Sequence, residues 1–186
     1  MGRTIAKTSL LTVLCGLTLA AAGWTEPVEV RLGSDKCITY RARLAGEYLV
    51  VEATPEKSWH TFSMDNEVRA REALAGKRSL GIDAPTQISL SNGLEAAGGW
   101  YQPEPQDFSK PELRWFSWGY EKPATFVTRV RKSGAGPAEI AIRGQACTET
   151  SCKNIEVEIS LLLPATGSGA GDGFDLAPLV AVRESK

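Results

Sequence analysis

Ile155-Glu-Val-Glu-Ile-Ser-Leu161 alternates apolar and polar residues without a break. In an extended chain successive side chains point to opposite faces. Ile155, Val157, Ile159 and Leu161 therefore share one face, and Glu156, Glu158 and Ser160 the other. A ribbon of that kind is a strand of an antiparallel sheet wetted on one side. Glu139-Ile-Ala-Ile-Arg143 repeats the pattern, and so does Thr125–Arg131, with Phe126 and either Thr128 or Val130 on one face. Tyr48–Ala53 is a short apolar run bounded by Gly46 and Pro55. Val28–Leu32, Ile38–Leu44, Trp59–Ser63 and Thr86–Leu90 are further strand candidates; only Glu67–Leu74 looks helical, as an insertion between strands. Seven or more short strands separated by turn residues predict an all-β chain, an immunoglobulin-like antiparallel β-sandwich with a short helical insertion.

Two stretches depart from this pattern. Gly98–Tyr120 holds Trp100, Tyr101, Phe108, Trp115, Phe116, Trp118 and Tyr120 among Pro103, Pro105 and Pro111. Proline disfavours a central strand, so part of the stretch is expected to form a long aromatic-rich loop over the sandwich. Its rings serve either as packing or as a contact surface. Residues 165–186 begin with a Gly/Ser-rich run and are expected to form a flexible C-terminal tail. Within it, Phe174–Val182 is apolar enough either to dock back or to bind a partner.

The other end of the chain reads as an export signal. Arg3 and Lys7 precede the apolar run Leu10–Leu19, and Ala20-Ala21-Ala22 offers a small-residue cleavage site. Residues 1–22 are thus expected to be removed as a signal peptide, leaving a periplasmic or secreted chain that begins near Gly23 or Trp24. The apolar run is shorter than the roughly 20 residues a membrane span needs. No later segment approaches that length, so no transmembrane segment is expected in the mature chain. Thr12-Val13-Leu14 lacks the small residues of a lipoprotein site, so Cys15 is expected to leave with the signal. One sandwich domain over residues 25–164 remains, enough for a sizeable core. The net charge of −1, with Lys and Arg scattered, argues against nucleic acid as a partner.

Three cysteines remain in the mature chain: Cys37, Cys147 and Cys152. Cys147 and Cys152 flank Thr148-Glu149-Thr150-Ser151 between two predicted strands, a spacing that a tight loop can bridge. On a chain-entropy estimate, closing that loop stabilises folding by about 2 kcal/mol, against about 5 kcal/mol for a bridge from Cys37 to either partner. A short bridge contributes little stability and opens without unfolding the domain, which suits a reversible redox pair. The same spacing also occurs in plain loop staples of secreted proteins. Cys37 is open to three readings: a buried free thiol, a partner for one of the pair, or an intermolecular site.

Gly144-Gln-Ala-Cys-Thr-Glu-Thr-Ser-Cys152, followed by the Glu-alternating strand, resembles the amino-terminal periplasmic domain of the thiol:disulfide interchange protein DsbD family. Lys57-Ser-Trp-His-Thr-Phe-Ser63, Lys77–Thr86 and the passage ending in Tyr120-Glu-Lys-Pro-Ala-Thr-Phe126 are similar to the same group. The likeness runs from Val28 to Pro164 and is most specific at the two cysteines. It implies an immunoglobulin-like sandwich that passes reducing equivalents between exported proteins through a mixed disulfide. Cys152 would form the intermolecular bond and Cys147 would resolve it. An aromatic cap would shield the pair, matched here by Gln106-Asp107-Phe108 with Phe108 over the sulfurs. Asp107, Glu149 or both would disfavour thiolate formation, since a nearby negative charge raises a thiol pKa. Members of the family are fused to a membrane conduit and a thioredoxin-like domain, whereas this chain ends soon after the sandwich. Its expected partners are thioredoxin-like periplasmic proteins or a membrane thiol reductant.

His60, the single histidine, is expected to be a packing residue. Together with the three cysteines it supplies ligand types for zinc or copper(I), but no metal-site spacing supports that use. Neither a metal nor another cofactor is expected. The chain has no Ser–His–Asp set or paired-carboxylate site, and Gly167–Gly173 lacks the strand and helix that a phosphate loop needs. Two functions from different classes therefore stand: a thiol–disulfide exchange domain, and a non-catalytic binding module with a structural disulfide.

Overall fold

The structure is a computed structural model that describes residues 23–77, 83–163 and 174–184. The expected signal peptide, part of the Lys77–Thr86 stretch and the Gly/Ser run over 165–173 lie outside the described residues. The elements in chain order are β1 (Val28–Leu32), β2 (Asp35–Ala45), β3 (Tyr48–Pro55), β4 (His60–Phe62), α1 (Asn66–Leu74), β5 (Gln87–Ser91) and β6 (Leu94–Gln102). These are followed by β7 (Gln106–Asp107), a 3-10 turn at Pro111–Leu113, β8 (Trp118–Tyr120), β9 (Ala124–Lys132), β10 (Ala138–Cys147), β11 (Cys152–Leu161) and β12 (Val180–Ala181).

The fold is an immunoglobulin-like β-sandwich, all-β among the described residues apart from the helical insertion α1 and the 3-10 turn. One sheet runs β1-β2-β3-β9-β6-β12 and the other β11-β10-β4-β8-β7, with β5 also paired to β10. Every pairing is antiparallel. The apolar face of β11 is buried and its Glu156, Glu158 and Ser160 are exposed, as the alternation predicts. Tyr40, Leu49, Phe126, Ile140, Ile142 and Ile155 are fully buried between the sheets. Burying a side chain of that size stabilises the fold by roughly 1.5–3 kcal/mol.

β10 is the element that brings the site together. Along one edge it pairs continuously with β11, from Ala138 opposite Leu161 to Cys147 opposite Cys152. Along the other edge it changes partner: Glu139–Arg143 face β5, whereas Ala146 and Cys147 face Thr61 and His60 of β4. Gly144 stands at the changeover with φ +152°, and a Cβ there would meet the Pro85 carbonyl oxygen at 3.0 Å. Glycine is the residue that adopts such a backbone while another chain segment passes this close.

The sequence expectation missed β6. Leu94-Glu-Ala-Ala-Gly-Gly-Trp-Tyr-Gln102 shows no alternation because its pairing with β9 shifts register between Ala96 and Trp100. Such a bulge changes which residues face inward. The carbonyls of Gly98 and Gly99 at the bulge accept the buried Thr128 hydroxyl at 3.4 and 3.1 Å. Trp100 and Tyr101 are therefore strand residues, and the loop-like part of the aromatic stretch starts at Pro103.

Residues 174–184 dock back, which settles the choice the sequence leaves open for Phe174–Val182 and places a packed segment inside the tail expected to be flexible. Val180 pairs with Gln102 and Ala181 with Tyr101. The physical reason is a second apolar face: Ala45, Val50 and Val127 point away from the main core and are covered by Trp24, Tyr48, Tyr101, Phe174, Leu176 and Leu179. Behind them, the buried Asp65 carboxylate accepts hydrogen bonds from Arg69 Nε at 2.9 Å, Gln102 Nε2 at 2.7 Å and the Arg183 backbone N–H at 3.2 Å. Helix, β6 and tail thus meet at one carboxylate.

Candidate functional site

The β10–β11 hairpin ends in Thr148-Glu149-Thr150-Ser151. The Thr148 N–H donates to the Ser151 carbonyl at 2.7 Å, and Thr148 Oγ1 accepts the Ser151 N–H at 3.1 Å and the Thr150 N–H at 3.3 Å. With 148 and 151 hydrogen-bonded, the next pair inward is of the close, non-hydrogen-bonded kind. That pair is Cys147 and Cys152, with Cα atoms 4.1 Å apart and the sulfurs joined in a disulfide. The two sulfur residues differ in access. Cys147, on a strand with neighbours on both sides, is only 3% exposed. Cys152, on the edge strand, is exposed.

An open cleft of about 890 Å³ lies against the pair. Its floor carries His60 and Phe62 of β4, and Phe108, Trp115 and Ser117 of the β7–β8 hairpin form the facing wall. Asp83, Glu121 and Glu149 bring negative charge to the cleft and Lys110 a positive one. The hairpin is held by the Phe108 N–H to the Ser117 carbonyl at 2.8 Å and the Lys110 N–H to the Trp115 carbonyl at 2.7 Å. Asn66 ties the walls together: its Oδ1 accepts the Trp118 N–H at 2.7 Å and its Nδ2 donates to the Asp83 carbonyl at 2.8 Å. Trp115 Nε1 donates to Asp83 Oδ2 at 2.9 Å. Leu113 and Trp115 remain exposed at the rim.

Phe108 is half-buried in the cleft wall with its ring 5.1 Å from the His60 ring. It packs there because Gly119 has no side chain; a Cβ on Gly119 would collide with the Thr61 carbonyl oxygen and press on the Phe108 ring. Glu149 sits on the hairpin turn and lines the cleft. Asp107 is exposed, is not among the lining residues, and accepts the Ser109 N–H at 2.8 Å. Cys37 is a buried free thiol on β2, its Sγ 3.6 Å from the Asp35 carbonyl oxygen, and takes no part in the bridge. Burial pushes that thiol above its ordinary value, which leaves it unreactive.

His60 packs among rings, with Phe62 edge-on at 5.3 Å, yet it is also the cross-strand neighbour of Cys147. Burial pushes its imidazole below the ordinary value, and the Asp83 and Glu121 carboxylates pull it partly back. No sequence signal marked Asp83 or Glu121, because they come from separate loop segments that only the fold brings to the cleft. Among the described residues no helix is long and apolar enough to cross a membrane.

No protein-family model matches the chain, and no curated protein does. Among solved structures, the reduced form of the DsbD N-terminal domain from Neisseria meningitidis is similar, with a TM-score of 0.47 and 10% sequence identity. The match covers 79% of this chain and 91% of that one.

Proposed function

We propose that this chain is an exported thiol–disulfide exchange domain that passes reducing equivalents between periplasmic proteins through a reversible Cys147–Cys152 pair. The observation that carries this reading is the asymmetry of the two sulfur residues: one exposed, one buried, joined at a hairpin tip beside a cleft. Exchange proceeds by attack of a thiolate on one sulfur of a disulfide. Cys152 offers the sulfur an incoming protein can reach, and Cys147 is placed to resolve the mixed disulfide. The bridge closes only the hairpin turn, so opening it leaves the β10–β11 ladder from Ala138 to Ala146 intact. Thioredoxin-like proteins or a membrane thiol reductant are the partners such chemistry needs. The exposed Leu113 and Trp115 at the rim suit contact with a protein.

The reduction potential of the pair in the mature protein is the test. A value between about −180 and −280 mV is expected for an exchange protein. A potential below about −300 mV would make the bridge a staple and leave the binding-module reading in its place.

Phe108 serves as the cap in this reading, and Glu149 adds the charge that disfavours thiolate formation. Asp107 does not line the cleft, and its carboxylate accepts the Ser109 N–H. Phe108→Ala is expected to speed the reaction of the reduced pair with small oxidants severalfold, as read by stopped-flow. An unchanged rate would remove the cap assignment.

A further inference from the structure

Strand register sets a row of reactive side chains across one sheet. Cys152 faces Cys147, and on its other side Cys147 faces His60. Residues directly opposite in an antiparallel pair project from the same face, with Cβ atoms about 4.5–5.5 Å apart. The imidazole therefore stands beside Cys147 on the side away from Cys152. All three line the cleft, along with Asp83 and Glu121, and both carboxylates act on the His60 ring.

Exchange requires a proton to move at Cys147. The Cys152 thiolate first attacks one sulfur of the partner's disulfide, and the partner's second sulfur leaves with the bonding electron pair. To resolve the mixed disulfide, Cys147 must give up its proton and attack Cys152 Sγ, expelling the partner's remaining sulfur as a thiolate. Two electrons have then passed from the pair to the partner, whose two thiolates take up the two protons released. Cys147 is 3% exposed, so bulk water is a poor proton acceptor, and a buried thiol gives up its proton reluctantly.

We propose that His60 is the base that takes the Cys147 proton as the mixed disulfide resolves and passes it on to the departing thiolate; in the reverse reaction, when the pair is reduced, it delivers a proton to Cys147. The assignment rests on the reading of Cys147–Cys152 as a reversible pair. Asp83, Glu121 and Glu149 would oppose a bare thiolate at Cys147, whereas Asp83 and Glu121 stabilise the imidazolium that forms beside it. Among the described lining residues Lys110 is the opposing charge in the cleft. Burial keeps the imidazole below its ordinary value, so at neutral pH it is unprotonated and able to accept. The same two carboxylates favour the imidazolium at the moment it is needed.

The test mixes the reduced mature protein with excess 5,5′-dithiobis(2-nitrobenzoate) and follows the two releases of coloured thiolate. The first reports attack by Cys152 and the second resolution by Cys147. His60→Gln and, as a second variant of different packing, His60→Phe are expected to slow the second release on the order of tenfold or more while the first stays within about twofold. In the wild type the second release should fall as pH drops through the lowered His60 value, below about 6.5; the variants should lose that inflection. A second release of unchanged rate and pH profile in either folded variant would overturn the assignment. The reduction potential measured on the same wild-type sample separates the two claims. A staple-like potential defeats the exchange reading, whereas an exchange-like potential with an unchanged second release defeats only the role of His60.

Discussion

Replacing Cys147 by alanine is expected to halt exchange after its first bond and leave Cys152 covalently joined to whichever exported protein it meets. In the wild type the buried Cys147 stands opposite Cys152, so under the proposed exchange reaction resolution would be intramolecular and the mixed disulfide short-lived. Removing its sulfur abolishes that route, and exchange turnover falls to background. The domain should remain folded. The bridge closes so short a loop that its entropic contribution is about 2 kcal/mol, and nine further residue pairs hold β10 to β11. Mass spectrometry of non-reduced extracts from cells exporting Cys147→Ala should show adducts through Cys152. Cys152→Ala should give none, because its remaining sulfur is buried. Adducts from Cys152→Ala but not from Cys147→Ala would reverse the roles of the two sulfurs. Adducts from neither would favour the binding module with a structural disulfide.

What the sequence makes legible follows the range of the interactions involved. Alternation along Ile155–Leu161 is a local property, and the strand it predicts is present with the expected faces. The hairpin that brings Cys147 to Cys152 is local too, since only four residues separate them. β6 was hidden because its bulge at Gly98 and Gly99 breaks the alternation that would have marked it. The expectation for His60 captured its packing among rings but not its place beside Cys147, which depends on β4 pairing with the far end of β10 after the break at Gly144. Asp83 and Glu121 reach the cleft from separate segments, so no spacing announces them. Asp107 was read from its neighbour Phe108, yet adjacent residues in an extended segment point to opposite sides. One lines the cleft and the other caps Ser109 outside it.

Asp65→Ala is expected to be strongly destabilising, costing about 3–5 kcal/mol. Arg69 is buried at 6% exposure, with the Asp65 carboxylate 2.9 Å away and an exposed Glu104 at 3.0 Å. Truncating Asp65 leaves the buried guanidinium with only the exposed Glu104 as a charged partner, and leaves Gln102 Nε2 and the Arg183 N–H without their acceptor. Removing one member of a buried pair costs more than the pair contributes when intact, because the remaining charge stays desolvated. Helix α1, β6 and the docked tail should loosen together, so urea unfolding should show a lower midpoint and proteolysis should reach residues 174–184. Burial alone would push the Asp65 carboxyl up. The hydrogen bonds from Arg69, then Gln102 and the Arg183 backbone, outweigh it and hold the carboxyl below the ordinary range. A carboxyl lowered in the folded state contributes stability above its unfolded value near 3.9 and loses it as pH falls through the folded value. The stability gap between wild type and Asp65→Asn should therefore be full at neutral pH and shrink on acidification below about pH 4. A gap that stayed constant across that range would mean Asp65 acts through its shape and hydrogen bonds rather than its charge.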